Sequence, residues 1–443
     1  MNPFWLSFLP SVVRERLSGR TELQSIISNT GWLFYDKIIR MVGAVTIGVW
    51  MARYLGPRQY GALNFAMAYV ALFGALSSLG LDGIAIRTIV REPARKNEIL
   101  ASAFFLKLGG SVVASVAALA SIFVIRPTDS QAQLLVAIIA AGMLFSSFDV
   151  IDLWFQSQVL SKYSVYAKNA AYLLQLLAKI ALIVNQAPVA AFAWVMLGEY
   201  MVAGMGLVII YHATHQSMGS WRPHFPTALK LLRESWPLML SGLAAMFSMR
   251  IDQVMLGQMV GDREVGVYAA VLRFSEIWYF IPWAIVSSIA PNLTETKMVS
   301  ETQYYEKLQK LLNLLARIAI AIALPMTLVA TPIMVFFCGA PYASGGAILA
   351  IHIWAAVFVF IGTGATPWII NERLPKLSLF QAFLGAVVNV GLNYILIPRL
   401  GGVGAAIATL VAQSVSVFFS NMAFSLSRRM FFMQARAIFR FGL

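Results

Sequence analysis

The residues that could do chemistry in this chain are charges set inside apolar stretches. Asp36, Lys37 and Arg40 interrupt the run "SIISNTGWLFYDKIIRMVGAVTIGVWMARYLG". On a helix Asp36 and Arg40 stand four residues apart and Lys37 and Arg40 three, so all three project from one face. Lys168, Tyr172, Gln175 and Lys179 repeat the design, because offsets of four, seven and eleven return to nearly the same angle. Arg273 and Glu276 share a face in a third apolar stretch, and Arg250 and Asp252 lie in a fourth. A basic side chain at the centre of a membrane helix costs about 2.5–3.5 kcal/mol on insertion scales, so such groups turn away from lipid. Lys37, Arg40, Lys168, Lys179, Arg250 and Arg273 are therefore expected to line one cationic cavity, edged by the polar groups of Asp36, Tyr172, Gln175 and Glu276. The chemistry of that set is capture of a phosphate-like anion: arginine offers a bidentate fork and lysine a point charge. The competing expectation is a set of structural ion pairs, Asp36 with Arg40 and Arg273 with Glu276. It accounts poorly for Lys168 and Lys179, whose own helix offers no acid.

A second constellation is made of oxygen. Asp252 falls in the seventh apolar run, and Asn389 and Asn393 fall one helical turn apart in the eleventh. One carboxylate and two amide oxygens suit a hard monovalent cation or a proton relay, so Na+ or H+ is expected here as a coupling ion. The alternative partner for Asp252 is Arg250 or Arg273.

The surrounding composition demands a membrane. Of 443 residues, 59% are hydrophobic and only 12% charged, against about 25% charged in soluble domains. Mean hydropathy is +0.75. Twelve apolar runs are long enough to span a bilayer. Six lie in an N-lobe (29–213) and six in a C-lobe (235–426), joined by a polar loop (214–234). A segment at 1–28 reads as an amphipathic cytoplasmic lead-in without the features of a cleavable signal peptide, and 427–443 as a basic cytoplasmic tail. The formal net charge of +14 would point to nucleic acid in a soluble protein. Here twenty Lys and Arg fall in the loops on the side of both termini and five in the opposite loops. Positive loops stay inside, so both termini are expected in the cytoplasm and no nucleic-acid partner is needed.

The two halves repeat one another. "LGPRQYG" (55–61) matches "VGDREVG" (260–266), and "WFQSQVLSKYS" (154–164) matches "WIINERLPKLS" (368–378). Each copy joins corresponding runs of its half. Six runs per half give both copies the same orientation, hence a pseudo-two-fold along the membrane normal, an arrangement found in transporters. No phosphate-binding G-x-x-x-x-G-K-[ST] loop is present. "GGVGAAIA" (401–408) reads as close helix packing, and His212, His215 and His224 as a solvated loop. The sole cysteine, Cys338, excludes a disulfide framework and a cysteine-based metal site. Nothing resembles a catalytic triad or paired carboxylates, so no enzyme, cofactor or metal centre is expected; a membrane-embedded glycan polymerase or ligase would show a large external loop, which is missing.

The stretches "ARYLGPRQYGALNFAMAY", "LSSLGLDGIAIR", "IDQVMLGQMVGDREVGVYAAVLRFSE" and "PRLGGVGAAIATLVAQS" resemble the Wzx-type oligosaccharide flippases of the multidrug/oligosaccharidyl-lipid/polysaccharide (MOP) exporter superfamily. The resemblance runs over nearly the whole chain. It implies an all-α membrane protein of MATE-like fold, with 12 transmembrane helices in two six-helix lobes. It also implies an undecaprenyl-diphosphate-linked oligosaccharide moved from the cytoplasmic to the periplasmic leaflet of a bacterial inner membrane. Translocation would run by alternating access through an inter-lobe cavity, for surface polysaccharide synthesis, alongside glycosyltransferases and a polymerase. It supports an arginine role at Arg40 and Arg273, and, through the lipid II flippases, an ion role near Asp252. Ion-coupled multidrug export and lipid II flipping are the alternatives.

Overall fold

The computed structural model describes residues 21–439, and every described element is helical. In chain order these are α1 (Thr21–Leu72), α2 (Gly74–Ser78), α3 (Asp82–Arg91), α4 (Lys96–Ile125), α5 (Ser130–Phe145) and α6 (Val150–Ser157). Then come α7 (Ser161–Val184), α8 (Val189–Ala213), α9 (Phe225–Met259), α10 (Asp262–Ser275), α11 (Phe280–Val299) and α12 (Glu301–Cys338). The series ends with α13 (Gly345–His352), α14 (Ala355–Asn371), α15 (Pro375–Leu400), α16 (Gly402–Val417) and α17 (Arg428–Phe439). The segment 1–28 lies largely outside the described residues, as do the last four residues of the tail.

Among the described residues, ten helical stretches are long and apolar enough to cross a bilayer. The difference from twelve has two sources. The first two apolar runs both fall within α1, which is two helices joined end to end at a sharp kink at Gly56. The run at 235–260 is helical as part of α9 but is not among the ten, since it carries Arg250, Asp252 and several polar neighbours.

The helices pack into two compact units. Of the described residues, one gathers 21–43, Gly74–Ser121 and Ala137–Leu240; the other gathers Ala44–Phe73, Ile122–Val136 and 241–439. Spatial packing thus divides α1, α4, α5 and α9 within their length, where the order of runs along the chain divides only at the central loop. The first unit closes around Leu81, Ile99, Val150, Phe155, Leu207 and Tyr211. The second closes around Leu308, Leu312, Leu315, Phe360, Trp368 and Met430.

The internal repeat is visible in the backbone. Gly56 has φ 67° and ψ 169°, and its counterpart Gly261 has φ 120° and ψ 173°. Both copies break the helix at a glycine whose conformation a Cβ would strain. Val159 and Arg373, also equivalent, both enter the left-handed region, at φ 58° and 56°. After each, the chain closes with the same bond: Leu160 N to Phe155 O (2.8 Å) and Leu374 N to Ile369 O (2.9 Å). Within the second unit the two glycine motifs also meet. A Cβ on Gly61 would overlap Asp262 O and stand 2.8 Å from Gly266 N; one on Gly266 would overlap Pro57 O and stand 2.9 Å from Gly61 N. Only hydrogen at both positions lets these backbones cross.

Candidate functional site

The first unit assembles four of the six basic residues. Arg40 donates from Nε to Asp36 Oδ1 (3.0 Å), from Nη1 to Glu199 Oε1 (3.1 Å) and from Nη2 to Lys168 O (3.3 Å). Its guanidinium lies 4.8 Å from the centroid of the Tyr172 ring, and the Tyr172 hydroxyl donates to Arg40 O (3.0 Å). Gly43 lets α7 approach this closely, for a Cβ there would stand 2.6 Å from the Tyr172 hydroxyl. Lys168 reaches Asp149 Oδ1 (2.9 Å) and Asp152 Oδ2 (2.7 Å).

This corrects two points of the sequence reading. Lys168 has acids after all: they come from the turn at 146–149 and from α6, not from its own helix. The i,i+4 pair Asp36–Arg40 does form, and Glu199 of α8 joins it. The cluster therefore holds four carboxylates beside its cations and is an ion-pair network, not a purely cationic lining. Tyr172 and Gln175 are buried, packed on neighbouring helices. Lys37 is exposed and Lys179 half-buried on the same unit. The Arg40 side chain remains 34% exposed, so an N–H edge is within reach of an incoming anion.

In the second unit Arg273 extends from the last turn of α10 over Gly48. Its Nε donates to the Tyr60 hydroxyl (3.0 Å) and its Nη1 to Ala44 O (2.9 Å). A Cβ on Gly48 would stand 2.9 Å from the guanidinium carbon. These two hydrogen bonds carry the guanidinium toward α1. Arg250 and Glu276 are half-buried on the same unit.

The oxygen-rich constellation is also built in the second unit. Asp252 is 4% exposed. It accepts from Tyr268 Oη (2.9 Å), Thr409 Oγ1 (2.6 Å) and Asn393 Nδ2 (3.4 Å), and the same Nδ2 donates to Asn389 Oδ1 (2.9 Å). Asn393 Oδ1 is buried without a hydrogen-bond partner. Oxygens outnumber the protons available to them, which is what a bound cation or an extra proton would remedy. Thr409 and Tyr268 escaped the sequence reading. Thr409 sits in an alanine-rich packing stretch and Tyr268 in an amphipathic one, so neither stood out; only α16 and α10 packing on α9 brings them to the carboxylate.

The fold is similar to that of an inward-facing multidrug resistance MATE family transporter of the MOP superfamily, with TM-score 0.72 and 17% identity over 88% of this chain and 96% of that one. It is similar also to lipid II flippase MurJ in an inward closed conformation, with TM-score 0.68 and 15% identity over 93% of this chain and 91% of that one. At such identities the likeness speaks for the fold: a multi-pass, all-α membrane protein of MATE type. The "Probable low-salt glycan biosynthesis flippase Agl15" of Haloferax volcanii is 24% identical over 221 residues, 49% of this chain and 46% of that protein, so the match spans less than half of the relative's length. Residues 26–297, more than half of the chain, match the family described as polysaccharide biosynthesis protein, and the chain belongs to that family.

Proposed function

We propose that this chain is a flippase that carries an undecaprenyl-diphosphate-linked oligosaccharide across a bacterial inner membrane by alternating access. The observation that carries the reading is Arg40: a guanidinium inside a membrane-spanning helix, oriented by Asp36 and Glu199 yet one-third exposed. An anionic diphosphate competes for its N–H groups and for the nearby Lys37, while the polyprenyl tail stays in lipid. Arg273, on α10 of the second unit, and Arg250, on the preceding helix, are further cationic groups suited to a phosphate-like anion. Lys168 and Lys179 hold the first unit's electrostatics in balance. Glycosyltransferases that build the glycan and a polymerase that consumes it are the expected neighbours. The test is reconstitution of the full chain in proteoliposomes with a polyprenyl-diphosphate glycan and an external glycan-cleaving enzyme. Protected glycan should become cleavable with time. Efflux of organic cations without any glycan movement would instead favour multidrug export, a reading to which the four carboxylates around Arg40 and Lys168 lend weight.

Energy coupling is placed at Asp252, Asn389 and Asn393, with Thr409 as a further oxygen and Na+ or H+ as the ion. One carboxylate with neutral oxygens matches a monovalent charge and suits a divalent ion poorly. Asp252→Asn is expected to leave the protein inserted and its residual flipping indifferent to an imposed Na+ or H+ gradient. Full gradient dependence in this variant would remove the coupling role. Which gradient drives the parent protein identifies the ion.

Topology follows from charge. Single cysteines placed near 91–96, 222–233 and 301–310 in a Cys338→Ser background should resist an impermeant thiol reagent applied to intact cells and react after permeabilisation. External labelling at two of the three would reverse the orientation.

A further inference from the structure

The second unit contains a pocket that the transport reading does not use. α17 docks on the start of α12 through Met430, Met433 and Ala437, which pack with Tyr304, Leu308 and Leu311. Two bonds fix it: Gln309 Nε2 donates to Met433 O (2.9 Å), and Asn421 Nδ2 donates to Gln434 Oε1 (3.0 Å). Beside this seam the two helices face each other across a cavity of about 490 Å³. α12 contributes Thr302, Tyr305, Glu306 and Gln309; α17 contributes Arg429, Phe432, Met433 and Arg436. Each set has the spacing i, i+3, i+4, i+7, so each is a single stripe.

The chemistry of the lining is specific. Arg429 lies 3.2 Å from the Tyr305 ring centroid, which fixes the plane of its guanidinium and leaves its N–H edges for a ligand. Arg429 also stands 3.7 Å from Glu301, an exposed residue outside the pocket. The lining itself holds Arg429 and Arg436 against one carboxylate, Glu306, and the exposed, water-screened Glu301 pairs only weakly with Arg429, so the pocket favours an occupant of low negative charge. A phosphodiester carries one negative charge; a diphosphate carries more, and Glu306 would repel the excess. The Tyr305 hydroxyl already donates to Glu372 (3.4 Å), which leaves Thr302 and Glu306 to bind hydroxyl groups. The setting is interfacial. Phe432 is 59% exposed, and Leu426 and Phe439 are exposed around the same helix, which thus carries arginines and bare apolar side chains together, as helices lying at a bilayer surface do.

We propose that this pocket binds the headgroup of an anionic phospholipid, a phosphodiester bearing hydroxyl groups, at the membrane surface beside α17. Arg429 and Arg436 take the phosphate, Glu306 and Thr302 take the headgroup alcohol, and Phe432 enters the acyl region. The volume lies within the roughly 300–1,000 Å³ of small-molecule sites.

The test uses the purified full-length protein, delipidated in detergent and followed by thermal unfolding. Phosphatidylglycerol should raise the transition temperature where phosphatidylcholine does not. Arg429→Gln with Arg436→Gln should weaken the apparent phosphatidylglycerol affinity by roughly tenfold or more, on the scale of one lost charge-assisted hydrogen bond. Where the double variant does not fold, exposed Arg436→Gln alone should show a smaller shift in the same direction. Glu306→Gln should admit phosphatidic acid, which carries more charge. Equal response to both lipids, or an Arg436→Gln protein that responds as the parent does, would overturn the site. Stabilisation by glycerol phosphate in solution as strong as by the lipid would overturn the lipid assignment in favour of a soluble phosphate.

Discussion

Arg40→Ala is expected to abolish glycan translocation while the protein still reaches the membrane, and Arg273→Ala to do the same. The two substitutions fail for different reasons, and the structure separates them. Removing Arg40 strands Asp36 and Glu199 and releases Lys168 O. Deleting one partner of a fully buried pair costs about 3–5 kcal/mol, an upper bound here because Arg40 is one-third exposed. Part of any lost activity could therefore be lost stability. Pairing Arg40→Ala with Glu199→Ala removes both the cation and an orphaned carboxylate. If the role of Arg40 is structural, the double variant recovers stability and transport together. If its guanidinium takes the diphosphate, stability returns and transport does not. Arg40→Lys keeps the charge without the fork and should recover only part of the rate. Arg273 donates to a phenol and a carbonyl, neither of them charged, so Arg273→Ala should unfold the protein less. Measured export in proteoliposomes, set beside thermal unfolding of the same preparations, checks all of these. Normal export by the Arg40→Ala, Arg273→Ala double variant would refute the anion-binding role of both.

Gly61→Val and Gly266→Val are expected to have a large structural effect, since even the Cβ alone cannot be accommodated at either position. At each position a Cβ would overlap a backbone carbonyl, Asp262 O or Pro57 O, and crowd the amide of the other glycine. Ordinary overpacking costs about 1–3 kcal/mol because side chains can shift. Here the obstruction is main chain, and the two motifs must move apart. A loss of about 3 kcal/mol in this contact corresponds to roughly 150-fold less of the conformation that contains it. A cysteine at Val265, which is fully buried beside the crossing, reports the change. It should be protected from maleimide in the parent and become reactive when Gly61→Val is added. Continued protection with unchanged transport would show that the crossing tolerates a side chain. Gly56 and Gly261 serve differently: their positive φ values break the helices, and alanine there should strain the backbone by about 1–2 kcal/mol without closing any gap.

Much of this protein was determined by the sequence alone. Hydropathy and the bias of basic loops are sums over local residues, so a multi-pass membrane protein could be read without packing. The internal repeat was legible for the same reason. Gly56 and Gly261, like Val159 and Arg373, take matching backbone conformations because a turn is set by a few adjacent residues. The intramembrane charges also announced themselves, since any charge in an apolar run is conspicuous. Their partners did not. Glu199 lies 159 residues from Arg40 and Thr409 lies 157 from Asp252, and nothing local links them. A periodic stripe gives the direction of a side chain from its own helix, but not which helix stands opposite. Whether Lys168 met solvent, substrate or Asp149 and Asp152 depended on where α6 came to rest. The contact of Gly61 with Gly266 belongs to the same class: the sequence marked both glycines as a repeat, and only tertiary packing brought the two copies against each other.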